Sequence, residues 1–375
     1  MISPGKLYDF LKEKSVSFYT GVPDSLLKYF LQYVQDHSSP DQHIITANEG
    51  LAVGLASGYH FATGKLPLVY LQNSGLGNMI NPLTSLADKE MYSVPMLLLI
   101  GWRGKPGTKD EPQHVKMGRI TKELLEVLEI PVYLLGENEE ASFSTINAAI
   151  EEAVEHKKPV ALLVPEEIFE IYEGKVEENN YSLVREEVIK KIITHLRGNE
   201  TIICTTGKIG REFYEQNELQ RKKISQYFLS VGAMGHASQI ALGIAKNKTG
   251  RTLMLDGDGA LLMQMGALPV IAQQVSTDFI HIVINNGSHE SVGGQPTAAF
   301  LADCCHIAKA AGYAKTVRVT NEGELLHWLN NGLLTPGLQF VEIRTNQLSR
   351  KDLGRPAGNP SDWKNDFMRA LRKDH

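Results

Sequence analysis

Short apolar runs recur along this chain, and amphipathic stretches lie between them. Residues 68–71, 96–101 and 160–164 in the first part read as strands buried on both faces. So do 201–205, 252–256, 279–284 and 339–343 in the second. Between them, 120–128, 142–154 and 260–274 carry a helical pattern. Strand–helix alternation of this kind predicts α/β architecture, with parallel sheets covered by helices on both sides.

At 375 residues and 42% hydrophobic content, the chain is long enough for two such domains. Residues 165–185 are rich in acids, contain Gly174, Asn179 and Asn180, and show little helix or strand period. The reading therefore sets a first domain over 1–170, a linker over 171–184 and a second domain over 185–375. A formal net charge of −5 gives no basic footprint, which argues against a nucleic-acid partner. Apolar stretches such as 96–100 are too short to cross a bilayer. The first fourteen residues carry Asp9 and Glu13 and lack the apolar core of a signal peptide. Cys204, Cys304 and Cys305 form no CxxC pair, so reduced thiols and a cytoplasmic location are expected.

Two nucleotide fingerprints are missing, the P-loop and a complete G-x-G-x-x-G after a strand. The sharpest signal is elsewhere. The run 252–256 leads into Gly257-Asp258-Gly259, and the run 279–284 leads into Asn285-Asn286-Gly287. Both elements fall at carboxyl ends of predicted parallel strands, where open α/β sheets bind ligands. Mg²⁺ is a hard cation that takes oxygen ligands in a near-octahedral array. Asp258 offers a carboxylate, Asn286 an amide oxygen and Ser288 a backbone carbonyl, leaving places for diphosphate oxygens and water. Gly257 and Gly259 lack Cβ atoms, so backbone N–H groups can approach a phosphate. A helix opening near Ala260 would direct its positive end at the same anion.

Together, Gly257-Asp258-Gly259 and Asn285-Asn286 resemble the signature of thiamine-diphosphate enzymes. That resemblance implies two domains, a pyrimidine-binding one followed by a diphosphate-binding one. It also implies further roles. Gly232-Ala233-Met234-Gly235-His236 matches the segment that binds the cofactor from below, with Met234 as the apolar wedge; otherwise Met234 is core packing. Thr205-Thr206-Gly207-Lys208 either cradles the diphosphate, with Thr206 and Gly207 at its centre, or forms an ordinary strand–helix turn. In this superfamily a first-domain glutamate grips N1′ of the pyrimidine, and Glu49, in Thr46-Ala47-Asn48-Glu49-Gly50, fits; its alternative is a first-turn helix charge. Because Glu49 and Asp258 belong to different domains, the resemblance implies a homodimer or higher homo-oligomer with active sites between the two domain types.

Most decarboxylases of the superfamily carry a third, central domain, for which this chain has no room. The compact pair is similar to the phosphonopyruvate and sulfopyruvate decarboxylase family. The likeness rests on Gly21-Val22-Pro23-Asp24-Ser25, on Gln72-Asn73-Ser74-Gly75-Leu76-Gly77-Asn78, on Asp110-Glu111-Pro112-Gln113-His114 and on Asp352-Leu353-Gly354-Arg355-Pro356. It implies Mg²⁺- and thiamine-diphosphate-dependent decarboxylation of a small 2-oxo acid. For 3-phosphonopyruvate the product is phosphonoacetaldehyde, a precursor of 2-aminoethylphosphonate. Asp24 and Ser25 would face the reactive carbon or cap the next helix. Asn73 would line the cofactor site, and His114 would relay protons or donate to an anion. Arg103, Lys105 and Lys109, with Arg355 from the tail, are the candidates for the second anionic group, unless they are incidental surface charges. Sulfopyruvate decarboxylase is the first alternative, and an acetolactate-synthase-like carboligase the second. A non-catalytic cofactor-binding paralogue represents a different class, against which the acid at Glu49 argues.

Overall fold

The computed structural model describes residues 1–136, 138–175, 178–221, 223–275 and 278–372. The chain folds as two compact units, Met1–Val176 with His289–Pro296, and Glu177–Ser288 with Thr297–His375.

The first unit runs α1 (Pro4–Glu13), β1 (Tyr19–Gly21), α2 (Lys28–His37), β2 (His43–Ile45), α3 (Glu49–Thr63), β3 (Leu68–Gln72), α4 (Leu76–Pro82), β4 (Met96–Gly101), α5 (Pro112–Val127), β5 (Val132–Leu134), α6 (Glu139–His156) and β6 (Pro159–Val164). Its strands form one parallel sheet in the order β2-β1-β3-β4-β6-β5. Successive strand residues point to opposite faces. Leu68, Tyr70, Leu97 and Leu99 therefore pack with Leu7, Phe30 and Ile146 of α1, α2 and α6. Val69, Leu71, Leu98 and Ile100 pack with Val53 of α3 and Met79 of α4. Both faces are dry, which is why these runs are apolar without alternation.

The second unit runs α7 (Arg185–His195), β7 (Thr201–Cys204), α8 (Lys208–Glu218), β8 (Tyr227–Leu229), α9 (Ala237–Asn247), β9 (Thr252–Gly257), α10 (Asp258–Met263), α11 (Ala267–Gln274), β10 (Phe279–Asn285), α12 (Cys304–Ala310), β11 (Lys315–Val319), α13 (Glu322–His327), β12 (Leu338–Arg344) and α14 (Pro360–Arg372). Its parallel sheet has the order β11-β12-β10-β9-β7-β8. Leu253, Ile282 and Val341 enter a core with α7 and α8, while Met254, Val283 and Phe340 enter one with α9, α11 and α12. The expected pair of doubly wound parallel sheets is thus present.

In each sheet the chain goes outward to an edge and then returns to the other side of its starting strand. It goes from β1 to β2 and back to β3, and from β7 to β8 and back to β9. The carboxyl ends of β1 and β3, and of β7 and β9, are the switch points at which such sheets bind ligands.

Two expectations change. The helix read over 260–274 is broken into α10 and α11. Pro269 has no N–H to give and is accommodated in the first turn of a new helix that starts at Ala267. The acid-rich connector also packs at both ends. Ile2 bridges Phe169, and Lys175 N donates to Asp36 Oδ2 at 3.0 Å. Further on, Leu183 is buried in the second unit's core. Residues 176 and 177, in the middle of the expected linker, lie outside the described residues. All three cysteines are free. Among the described residues no helix is long and apolar enough to cross a membrane.

Candidate functional site

The first unit gathers its polar residues at the carboxyl ends of β1, β3 and β4. Asp24 follows β1 and is wholly buried. Its Oδ2 accepts from Leu26 N at 2.8 Å, and its Oδ1 has no partner. Burial pushes its pKa up to about 6, against the pull of the Leu26 N–H and of Arg103. Gly101, ending β4, makes the space: a Cβ there would lie 2.0 Å from Asp24 Oδ2. Ser25 Oγ accepts from Arg103 Nη1 at 2.9 Å. Arg103 is itself gripped by Asp110, through Nε to Oδ2 at 2.8 Å and through Nη2 to Oδ1. Such a two-pronged pair fixes the plane of the guanidinium. His114 on α5 is buried with Nδ1 unpartnered, and burial, helped by Arg103, lowers its pKa.

Asn73, expected to line the cofactor site, makes its side-chain contacts within the first unit. Its Nδ2 donates to Arg103 O at 2.8 Å and to Thr121 Oγ1 at 3.0 Å, and its Oδ1 accepts from Arg103 N at 3.2 Å. The amide is engaged in holding the loop after β4. Lys105 lies over the Trp102 ring, 5.9 Å from its centroid, and Lys109 is exposed. Neither is drawn into the cluster that joins Asp24, Ser25, Arg103 and Asp110.

Glu49 opens α3, where Asn48 caps the helix by accepting from Gly50 N at 2.8 Å. Its carboxylate turns inward and is 5% exposed. Asn78 Nδ2 donates to Glu49 Oε2 at 2.7 Å. A Cβ on Gly75 would stand 2.3 Å from Glu49 Oε1, so only glycine leaves room for this carboxylate. Burial raises the Glu49 pKa, and the Asn78 donation draws it part of the way back. Asn78 and Gly75 belong to the Gly- and Asn-rich run that the sequence marks out, but their contact with Glu49 is long-range.

In the second unit the expected cofactor segments line up along consecutive strand ends. Thr205 and Thr206 follow β7, Ser230 to His236 follow β8, Gly257 to Ala260 end β9 and open α10, and Asn285 to Ser288 end β10. Thr206 donates to Val231 O at 3.0 Å, whereas the buried Thr205 Oγ1 has no partner. That orphaned hydroxyl, at the switch point beside Gly257, belongs to the segment that the sequence offers as a cradle for the diphosphate. Gly207 adopts φ +94° with open space where a Cβ would point. Met234 is half-buried between two left-handed residues, Ala233 at φ +52° and Gly235 at φ +82°. A Cβ on Gly235 would come 3.0 Å from Ala260 O, so this loop lies directly on α10. Gly232 accepts from Ser230 Oγ at 2.7 Å, and the exposed His236 caps α9.

Asp258 is buried and forms no ion pair with a side chain among the described residues; Thr297 Oγ1 donates to its Oδ2. Burial pushes its pKa up to about 6. Asn286 Oδ1 accepts from Ser288 N at 3.1 Å, and Asn285 Oδ1 accepts from Gly287 N at 3.0 Å, giving two successive Asx turns. Among the described residues no three His, Cys, Asp or Glu side chains could hold a metal by themselves. A buried carboxylate without a cation, next to an amide oxygen and backbone carbonyls, suits a hard ion that a diphosphate helps to coordinate. Arg355, in the tail before α14, is exposed.

Comparison with known proteins agrees with this layout. The family model for the N-terminal TPP binding domain of thiamine pyrophosphate enzymes matches residues 6–124, and the model for the C-terminal TPP binding domain matches residues 205–343. A phosphonopyruvate decarboxylase from Streptomyces viridochromogenes is 31% identical over 96% of this chain and 93% of its own length. One from Streptomyces hygroscopicus is 29% identical over 96% and 92%. A sulfopyruvate decarboxylase from Methanosarcina acetivorans is 26% identical over 90% of each. The chain therefore belongs to the phosphonopyruvate decarboxylase family of thiamine-diphosphate-dependent carboxy-lyases.

Proposed function

We propose that this enzyme converts 3-phosphonopyruvate to phosphonoacetaldehyde and CO₂, as a step of phosphonate biosynthesis, with thiamine diphosphate anchored through Mg²⁺. The observation that carries the substrate assignment is the cluster at the ends of β1 and β4. A buried acid, Asp24, sits one residue from a serine hydroxyl that Arg103 holds at 2.9 Å. Arg103, its plane fixed by Asp110, keeps guanidinium N–H groups that can meet phosphonate oxygens. Ser25 Oγ accepts from Arg103, so its own O–H remains to donate to the substrate.

When bound, the cofactor supplies the electron sink that accepts the electron pair released as CO₂ leaves. Asp258 Oδ, Asn286 Oδ1 and the Ser288 carbonyl would hold the metal. Thr205, Thr206 and the N–H groups around Gly257 and Gly259 would receive the diphosphate, and Met234 would support the rings. Glu49 would share a proton with N1′ of the pyrimidine, a task suited to a carboxyl whose pKa burial has raised. Asp24, raised to about 6, would return a proton to the substrate carbon, with His114 as a second candidate for proton transfer. The Glu49 half-site of one copy completes the Asp258 half-site of another in a homo-oligomer.

The test is CO₂ release from phosphonopyruvate, sulfopyruvate and pyruvate by protein loaded with thiamine diphosphate and Mg²⁺. The reading expects the highest kcat/KM for phosphonopyruvate. A preference for sulfopyruvate, whose sulfonate presents similar oxygens, moves the enzyme to the other branch of the family. A preference for pyruvate removes the role given to Arg103.

A further inference from the structure

Beneath the Asn286 turn lies a carboxylate that the chemistry above does not use. Glu342, on β12, has no exposed surface. Arg318 Nε donates to its Oε2 at 2.7 Å, while Arg344 Nε at 2.9 Å and Asn285 Nδ2 at 2.8 Å donate to its Oε1. A buried ionic group of this kind is a weak device for stability, since well-packed apolar residues serve as well. Its value lies in what it orients. With Nδ2 drawn to Glu342, the Asn285 amide must present Oδ1 to Gly287 N, which it meets at 3.0 Å. A flipped amide would set its oxygen against the carboxylate. Gly287 adopts φ +68°, and a Cβ there would strike the Phe300 ring at 2.3 Å, so the turn as it stands requires glycine at this position.

The connector grips the same turn from outside. Asn179 Nδ2 donates to Asn286 O at 3.1 Å and to Thr345 O at 3.1 Å, while its Oδ1 accepts from Tyr181 N at 3.1 Å. Tyr181 OH accepts from Arg344 Nη1 at 2.7 Å, and the Arg344 guanidinium lies 5.7 Å from the Tyr181 ring centroid and 5.2 Å from that of Phe300. One continuous set of contacts runs from Asn179 through Tyr181, Arg344, Glu342 and Asn285 to the turn.

We infer that Glu342 and Asn179 are positioning residues for the metal-binding turn, holding Asn286 in its ligating conformation from the sheet side and from the connector side. The inference rests on the reading of Asn286 as a metal ligand. Loss of such outer-shell partners typically weakens metal affinity by about ten- to a hundredfold.

The experiment titrates Mg²⁺ at fixed thiamine diphosphate and follows cofactor binding by calorimetry. It uses the wild-type protein, Asn179→Ala, Glu342→Gln and Asn286→Ala, and records the thermal midpoint of each metal-free protein. Asn179→Ala is expected to raise the half-saturating Mg²⁺ concentration about tenfold while its metal-free midpoint stays near the wild-type value. Glu342→Gln is expected to act in the same direction. A lowered midpoint with a wild-type Mg²⁺ requirement in either variant makes that residue merely structural and overturns its part. If Glu342→Gln does not fold, Asn179→Ala decides alone. If Asn286→Ala itself binds as the wild type does, the metal assignment fails, and the positioning role goes with it.

Discussion

Asn78 donates its side-chain amide to Glu49 Oε2 at 2.7 Å, joining α4 to the first turn of α3. Burial drives the Glu49 pKa up and this donation opposes it, so the acidity of Glu49 is a balance between the two. Asn78→Ala removes the opposing term. Loss of this donation lets burial act with less opposition, so the acidic limb of the kcat/KM profile should move to higher pH. Profiles of CO₂ release between pH 5 and 8 check this. An unmoved acidic limb would mean that Glu49 does not set it.

Gly75 leaves no room for a side chain against the same carboxylate. A Cβ would lie 2.3 Å from Oε1 and 2.6 Å from Cδ of Glu49, and Asn78 closes another side. Gly75→Ala should therefore swing Glu49 out of place and lower kcat about as far as Glu49→Ala does. Because the residues proposed to hold the diphosphate and metal lie in the second unit, calorimetric affinity for thiamine diphosphate and Mg²⁺ should change much less. A Gly75→Ala enzyme with wild-type kcat would mean that the position of Glu49 is not critical.

The strands that could be read from sequence are those buried on both faces, such as β4 and β10, whose residues are apolar throughout. Edge strands were hard to see for the opposite reason. β5 and β8 are three residues long, and β11 runs Lys-Thr-Val-Arg-Val with only Val319 buried, so none offers an apolar run to detect. The Gly-Asp-Gly and Asn-Asn elements are local in sequence and were legible. The groups that shape them were not. Asn78 reaches Glu49 across 29 positions, Asn179 reaches Asn286 across 107, and Glu342 reaches Asn285 across 57. No spacing rule connects such pairs, because the sheet order brings them together. Asn73 shows the converse: its place in a promising run suggested ligand binding, yet its amide is engaged by Arg103.

Asp24 predicts an unusual dependence of stability on pH. Its folded pKa, about 6, lies above the ordinary carboxylate value because burial penalises the charge. A group raised in this way favours the fold most below its unfolded pKa, and loses that contribution as pH rises through the folded one. Between about pH 4 and 6 the metal-free protein should therefore lose roughly 2–3 kcal/mol from this site. Asp24→Asn, which keeps an acceptor for Leu26 N, should be more thermostable than the wild type at pH 7.5, should show less of that advantage at pH 5, and should lose turnover. Calorimetric scans at the two pH values test this. Equal differences at both would refute a perturbed Asp24.

Glu49 and Asp258 lie in separate compact units, and the proposed site needs both. Copies carrying Glu49→Ala or Asp258→Ala are each expected to be inactive. Co-expressed with different tags, they should form mixed oligomers. If the site is built from the Glu49 half of one copy and the Asp258 half of another, each mixed dimer holds one intact site and one doubly altered site. Random pairing makes half of the dimers mixed, so about a quarter of wild-type activity should return. Isolating the doubly tagged species should raise this to about half. A site formed within a single copy has no intact version in any pairing, and activity would stay at the level of the separate variants. Size-exclusion chromatography must show both variants assembling as the wild type does. With that control in place, silence of the doubly tagged species would overturn the shared site.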